Sequence, residues 1–125
     1  MDENALSNRI IGAALEVHRQ LGPGLLESAY EECLAYELSL HGIPFERQKP
    51  IPVVYKGIRL DCGFRVDLLV DNLVVVELKA VDTLMPIHQA QVLTYLKLTG
   101  CRLGLLINFN VVRLREGIKR VVLNL

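Results

Sequence analysis

Apolar residues along the first third of the chain recur at helical spacing. Leu6, Ile10, Ala13, Ala14, Val17 and Leu21 share one face of a helix over roughly residues 3–21. Gly22-Pro23-Gly24 breaks that helix and starts the next element. Leu26, Tyr30, Cys33, Leu34 and Leu38 then mark a second helix, closed by Gly42 and Pro44. Beyond it the period changes. Stretches of about 50–56, 58–70 and 73–80 are rich in Val, Ile and Leu, with turns at Gly57 and Asp71-Asn72, and predict three strands in an antiparallel meander. Pro86 suits the first turn of a third helix, through Leu98 to Gly100. Strands over Leu103–Phe109 and Ile118–Leu123, with an optional short one over Val112–Leu114, end the pattern. The order ααβββαβ(β)β predicts an α/β sandwich with a mixed sheet, one domain over residues 1–125.

Composition supports a single core. Of 125 residues, 51% are hydrophobic, enough for ordered structure without metal or disulfide staples. Cys33, Cys62 and Cys101 lack CxxC spacing, which argues against a disulfide framework and a structural zinc site and predicts buried reduced thiols. No basic n-region precedes an apolar stretch and no apolar run reaches transmembrane length, so a cytoplasmic protein without a membrane partner is expected. The net charge is zero but unevenly spread. Residues 1–46 carry eight acids against two arginines, whereas residues 97–125 carry six basic residues against Glu116 alone. That basic stretch can follow phosphates or simply form a solvated face.

Candidate chemistry lies in the strand Val74–Ala80, where side chains alternate between faces. Val74, Val76, Leu78 and Ala80 form an apolar face, and Val75, Glu77 and Lys79 the other. Glu77 and Lys79 thus project from one side, roughly 7 Å apart along the strand. A turn centred on Asp71-Asn72 carries Asp67 back beside the middle of this strand, where it can share a face with Glu77. Two converging carboxylates repel each other unless a divalent cation neutralises them, and hard oxygen donors suit Mg²⁺ or Mn²⁺. An ordinary Glu77–Lys79 ion pair on a solvated face fits the same residues. Glu27, after Gly24, fits a first-turn acid favoured by the helix dipole.

Asp67, nine intervening residues and then Glu77-Leu78-Lys79 resembles the D-x(n)-(D/E)-x-K signature of the PD-(D/E)XK nuclease superfamily. Gly24-Leu25-Leu26-Glu27-Ser28-Ala29-Tyr30 reads as GxxExxY, the motif of a small bacterial and archaeal family placed in that superfamily. Tyr55-Lys56-Gly57, Glu77-Leu78-Lys79-Ala80, His88 with Ala90-Gln91, Tyr95-Leu96-Lys97 and Leu106-Ile107-Asn108-Phe109 resemble the same family in order and spacing. The resemblance implies a restriction-endonuclease-like sandwich. It implies Asp67 and Glu77 as ligands of Mg²⁺ or Mn²⁺, the Leu78 carbonyl as a third, Glu27 as an added acid, and Lys79 as the water-positioning residue. Gln91 and Tyr95 resemble a QxxxY element of some exonuclease-like branches; with Tyr30 they become candidates to bind substrate, and Gln91 also to serve catalysis. As an i, i+4 pair, Gln91 and Tyr95 share a helix face.

Two functions follow. One is a metal-dependent nuclease acting on nucleic acid, with DNA favoured over RNA. The other is a catalytically silent binding or scaffold protein that keeps the fold. Intact Asp67, Glu77 and Lys79 favour the enzyme, while the small size favours the scaffold or a homodimer. A nucleotide-binding α/β protein lacks support, because no Gly-rich phosphate loop follows a strand.

Overall fold

The computed structural model describes residues 1–125. Asp2 opens α1 (Glu3–Leu21) by accepting the Ala5 N–H at 2.7 Å, which satisfies one of the donors that a helix start leaves free. Gly22 ends it with a φ of 68°, a left-handed value that glycine adopts without strain. α2 (Glu27–Leu40) packs beside α1, and both bury their apolar stripes on one face of the sheet. No helix is long and apolar enough to cross a membrane.

The sheet holds β1 (Phe45–Pro50), β4 (Arg65–Val70), β5 (Val74–Lys79), β6 (Leu103–Asn108) and β7 (Ile118–Val122), in that spatial order. All neighbours are antiparallel except β5 and β6, which run parallel and are joined through α3 (Pro86–Thr99). Val74, Val76 and Leu78 enter the larger core with α1 and α2, whereas Val75 joins Tyr95 and Leu96 of α3 in a smaller one. The mixed α/β sandwich expected from the hydrophobic pattern is therefore the fold observed.

Three expectations change. The meander over 50–56, 58–70 and 73–80 is instead two separate units. β4 and β5 form the hairpin turned at Asp71-Asn72, while β2 (Val53–Tyr55) and β3 (Ile58–Leu60) pair only with each other, outside the main sheet. Gly63, at φ 78°, lies in the link that separates β3 from β4. The edge strand β1 gave no hydrophobic signal because Phe-Glu-Arg-Gln-Lys-Pro is mostly solvated. The optional strand over Val112–Leu114 is a bend leading into a 3₁₀ turn, Leu114–Gly117, anchored by buried Leu114. Cys33, Cys62 and Cys101 are all free, but only Cys101 is buried; Cys62 is exposed on the link after β3.

Gly104 lets α3 sit close to the sheet. It lies opposite Val75 in the β5–β6 ladder, and a Cβ there would stand 2.6 Å from Cγ1 of buried Val92. Gly104→Ala is expected to destabilise the protein by about 1–3 kcal/mol through overpacking. Gly12→Ala, on an open face of α1 with no atom near the added methyl, should instead stabilise it by about 0.5–1 kcal/mol. Denaturant titration of both variants checks the contrast.

Candidate metal and catalytic site

The period-2 alternation of β4 and β5 brings the first two site residues together. The ladder runs Val70↔Val74, Leu69↔Val75 and Leu68↔Val76. Its next step sets Asp67 across from Glu77 on the face that carries Leu69 and Val75. Main-chain pairing ends there. The Leu78 N–H, which faces β4, is bonded by Asp67 Oδ2 at 2.8 Å instead of by a strand carbonyl. Because a residue in an antiparallel ladder presents its N–H and C=O to the same neighbour, the Leu78 carbonyl lies along this same edge.

Glu77 is 4% exposed. Burial foremost, then the hydrogen bond and charge of Asp67, push its pKa up to about 10, with Lys79 acting in the opposite sense. At neutral pH the metal-free pair therefore holds a proton. Lys79 is half-buried and forms no salt bridge, so the ion pair on a solvated strand face is not what the chain builds.

Glu27 begins α2 and is exposed as a residue, yet its carboxyl feels the cluster. Burial foremost, then the Asp67 charge, raise its pKa, while Lys79 lowers it. On α3, the Gln91 amide donates to the Tyr95 hydroxyl at 3.2 Å. Tyr95 is 4% exposed, and burial, followed by the charges of Glu77 and Asp67, raises its pKa. Glu27 from α2 and Tyr95 from α3 thus both feel the Asp67 charge, but Glu27 does not join Asp67 and Glu77 in one cluster of ligands.

Tyr30, expected to touch substrate, is fully buried and has no surface for that contact. Its ring stacks on Phe109 with centroids 4.4 Å apart. Its hydroxyl donates to the Gly22 carbonyl at 2.6 Å and accepts the Leu25 N–H at 3.1 Å. Tyr30 therefore fixes the α1–α2 connection, and with it the start of the helix that carries Glu27. Each of the two helical histidines makes one bond to the backbone: His88 accepts the Met85 N–H through Nδ1 at the head of α3, and His18 contacts the Val111 carbonyl.

Three residues of the site escaped the sequence reading. Gln48 sits in β1 opposite Asp67 with φ 51°, a left-handed backbone that is strained for a non-glycine residue. Its side-chain amide donates to Glu31 Oε1 at 2.6 Å and to Asp67 Oδ1 at 3.2 Å. Arg47 in turn pairs with Glu31 at 2.9 Å and Glu32 at 2.8 Å. Both Asp67 oxygens thus have donors, and buried Glu31 is neutralised. Nothing in the polar run Glu46–Lys49 marks Gln48 as special; only the fold brings it to Asp67.

The donor set is compatible with a hard divalent cation: two facing carboxylates, one deeply buried, beside a strand carbonyl. No three Asp, Glu, His or Cys side chains converge into a ready-made metal cage. Comparison with known families matches residues 4–121 to the description PD-(D/E)XK nuclease superfamily. No curated protein and no solved structure matches the chain.

The raised pKa of Glu77 sets a pH dependence. Between its ordinary value of 4.5 and about 10, the folded chain binds a proton that the unfolded chain has released, so stability falls as pH rises. Glu77→Gln removes this cost. In EDTA the variant should melt above wild type at pH 8, by about 4 °C for each kcal/mol relieved. The gap should close as pH falls below the ordinary Glu value, and melting curves at stepped pH give the test.

Proposed function

The chain belongs to the PD-(D/E)XK nuclease superfamily, and from that premise we propose that it hydrolyses nucleic-acid phosphodiester bonds with Mg²⁺ or Mn²⁺ held by Asp67 and Glu77. The carrying observation is the carboxylate pair itself. Glu77 is buried against Asp67, has no cationic partner in direct contact, and is driven to keep a proton. A divalent cation relieves that arrangement better than any residue present. The Leu78 carbonyl is the third protein donor in this reading, and Glu27 adds an acid from α2. The GxxExxY motif supports a place in the branch of that name, and DNA is the first substrate to test.

When bound, the cation supplies a water of lowered pKa and offsets charge on the phosphate. The chain's own residues do the rest. Asp67 is held in place by the Gln48 amide and the Leu78 N–H. Lys79, free of a salt bridge, orients the attacking water and counters the negative charge that builds on the phosphate. Gln91 and Tyr95 offer polar groups to the substrate from α3. Glu77 must release its proton to become a ligand, so divalent affinity weakens as pH falls. A homodimer remains part of the proposal, with Tyr36 and Leu40, exposed one turn apart on α2, as apolar surface for it.

Lys79→Ala should leave folding and Mn²⁺ binding near wild type while cleavage falls on the order of 100-fold or more. Single-stranded DNA, duplex DNA and RNA are assayed with Mg²⁺ or Mn²⁺, with EDTA and Glu77→Ala as controls against contaminating nuclease. Wild type that is inert on every substrate and metal would instead support the scaffold reading.

Gln48→Gly tests the support of Asp67. Glycine accepts the left-handed backbone but loses the amide, so the melting temperature should hold while Mn²⁺ affinity drops on the order of 10-fold or more. Calorimetric titration reads the affinity, and unchanged binding would show that Gln48 has no part in ordering the site.

A further inference from the structure

The β2–β3 hairpin is poorly explained by the fold. A two-stranded hairpin is marginal in water by itself, yet this one stands apart from the main sheet with none of its strand residues buried. Val54, Tyr55, Ile58 and Leu60 are each between 42% and 60% exposed. Lys56 and Arg59 lie among them, and neither forms a salt bridge. Lys56 stands 5.5 Å from the centre of the Tyr55 ring. Residues 50–65 hold Lys56, Arg59 and Arg65 against Asp61 alone.

Beside the hairpin is a cleft of about 310 Å³ between Val53 and Phe64 on one side and α3 on the other. Its α3 wall includes His88, Gln91, Tyr95 and Leu98. Apolar surface with a few polar groups is the usual make-up of a small-ligand pocket. The cleft shares Gln91 and Tyr95 with the candidate site, Tyr95 packing with Val75 from the strand that carries Glu77. His88 spends Nδ1 on the Met85 N–H, which leaves Nε2 for a ligand.

We infer that the cleft takes an unpaired nucleobase of the substrate strand, while Lys56 and Arg59 hold neighbouring phosphates. The substrate is therefore single-stranded DNA or an unpaired end. This rests on the nuclease reading above and specifies the form of its substrate. A flat π-face against Phe64, hydrogen bonds to a base edge from Gln91 or His88, and free cations on the hairpin together match a single strand. A base inside a duplex is stacked on both faces and paired along its edge, and would have to be flipped out to enter. Lys56 and Arg59, without an acidic partner amid the apolar residues, supply the charge that a phosphate backbone complements.

The test measures binding without cleavage. Wild type in EDTA is titrated against a labelled single strand, its duplex, and the single strand carrying one abasic residue. Anisotropy gives affinity, and 2-aminopurine at the same position reports stacking. Wild type should bind the single strand about tenfold tighter than duplex, with altered 2-aminopurine emission. Phe64→Leu, which keeps apolar bulk at a residue 45% exposed, should lose both effects, and Phe64→Tyr should restore them. The abasic strand should bind wild type and Phe64→Leu alike. Lys56→Ala should weaken single-strand and duplex binding together and flatten the salt dependence.

Equal affinity of wild type for single strand and duplex would overturn the inference, as would Phe64→Leu binding the single strand like wild type. A change in self-association by sedimentation, with single-strand affinity unaltered, would assign the cleft to a second copy of the chain and overturn it too. Failure of the nuclease reading looks different. Cleft-dependent binding would persist while no metal or substrate gave cleavage, whereas cleavage without strand preference would retain the nuclease and reject the pocket.

Discussion

Two carboxylates set across from each other on neighbouring strands, one of them almost sealed from water, repel unless something sits between them. In this protein burial foremost, and then the neighbouring Asp67, hold the Glu77 carboxyl well above the usual range, so a proton offsets the repulsion. The surrounding structure keeps the pair from moving apart. Asp67 is bonded by the Leu78 N–H across the gap where the β4–β5 ladder ends and by the Gln48 amide from β1. Gln48 is in turn bonded to Glu31, which Arg47 also holds. The arrangement sacrifices stability at the one point where binding a cation would recover it, as buried like charges do at functional sites.

The two cores position the site's other groups. The larger core seats Tyr30 against Phe109, and the Tyr30 hydroxyl ties down the connection that precedes Glu27. In the smaller core, Val75 from the acidic face of β5 packs with Tyr95. The close approach of α3 at Gly104 makes that packing possible. The apolar alternation of β5 therefore does two jobs: one set of residues anchors the sheet to α1 and α2, and the other points Glu77 and Lys79 at α3.

The three helices, the Asp71-Asn72 turn and the placement of Asp67 across from Glu77 were legible because each rests on local periodicity. A helical stripe, a left-handed turn pair and period-2 alternation need no knowledge of the rest of the chain. The edge strand β1 was not legible, because a strand solvated on most of its length has no alternation to read. Gln48 was hidden for a related reason: its role comes from an unusual backbone angle and a partner nineteen positions away. Tyr30 shows the opposite error. A motif tyrosine on the same helix face as a motif glutamate suggested contact with substrate, but the Tyr30 ring is buried against Phe109 and its hydroxyl is taken up by the α1–α2 connection. Burial, not motif membership, separates the two roles.

The parallel pairing of β5 with β6 also governs timing. Parallel neighbours need a long crossover, and here the whole of α3 lies between Lys79 and Leu103. Tyr95 sits over the β5 face that carries Glu77 because α3 packs on the smaller core, and α3 is held there partly by β6. Such long-range contacts slow folding, because the loop must close before they form. As the chain is made from its N-terminus, Asp67, Glu77 and Lys79 are all present well before β6 exists to fix them. A growing or partly folded chain thus carries every acidic residue of the site without the enclosure that makes them act as one. Until β6 pairs with β5, those residues lack the wall that α3 and the completed sheet set beside them.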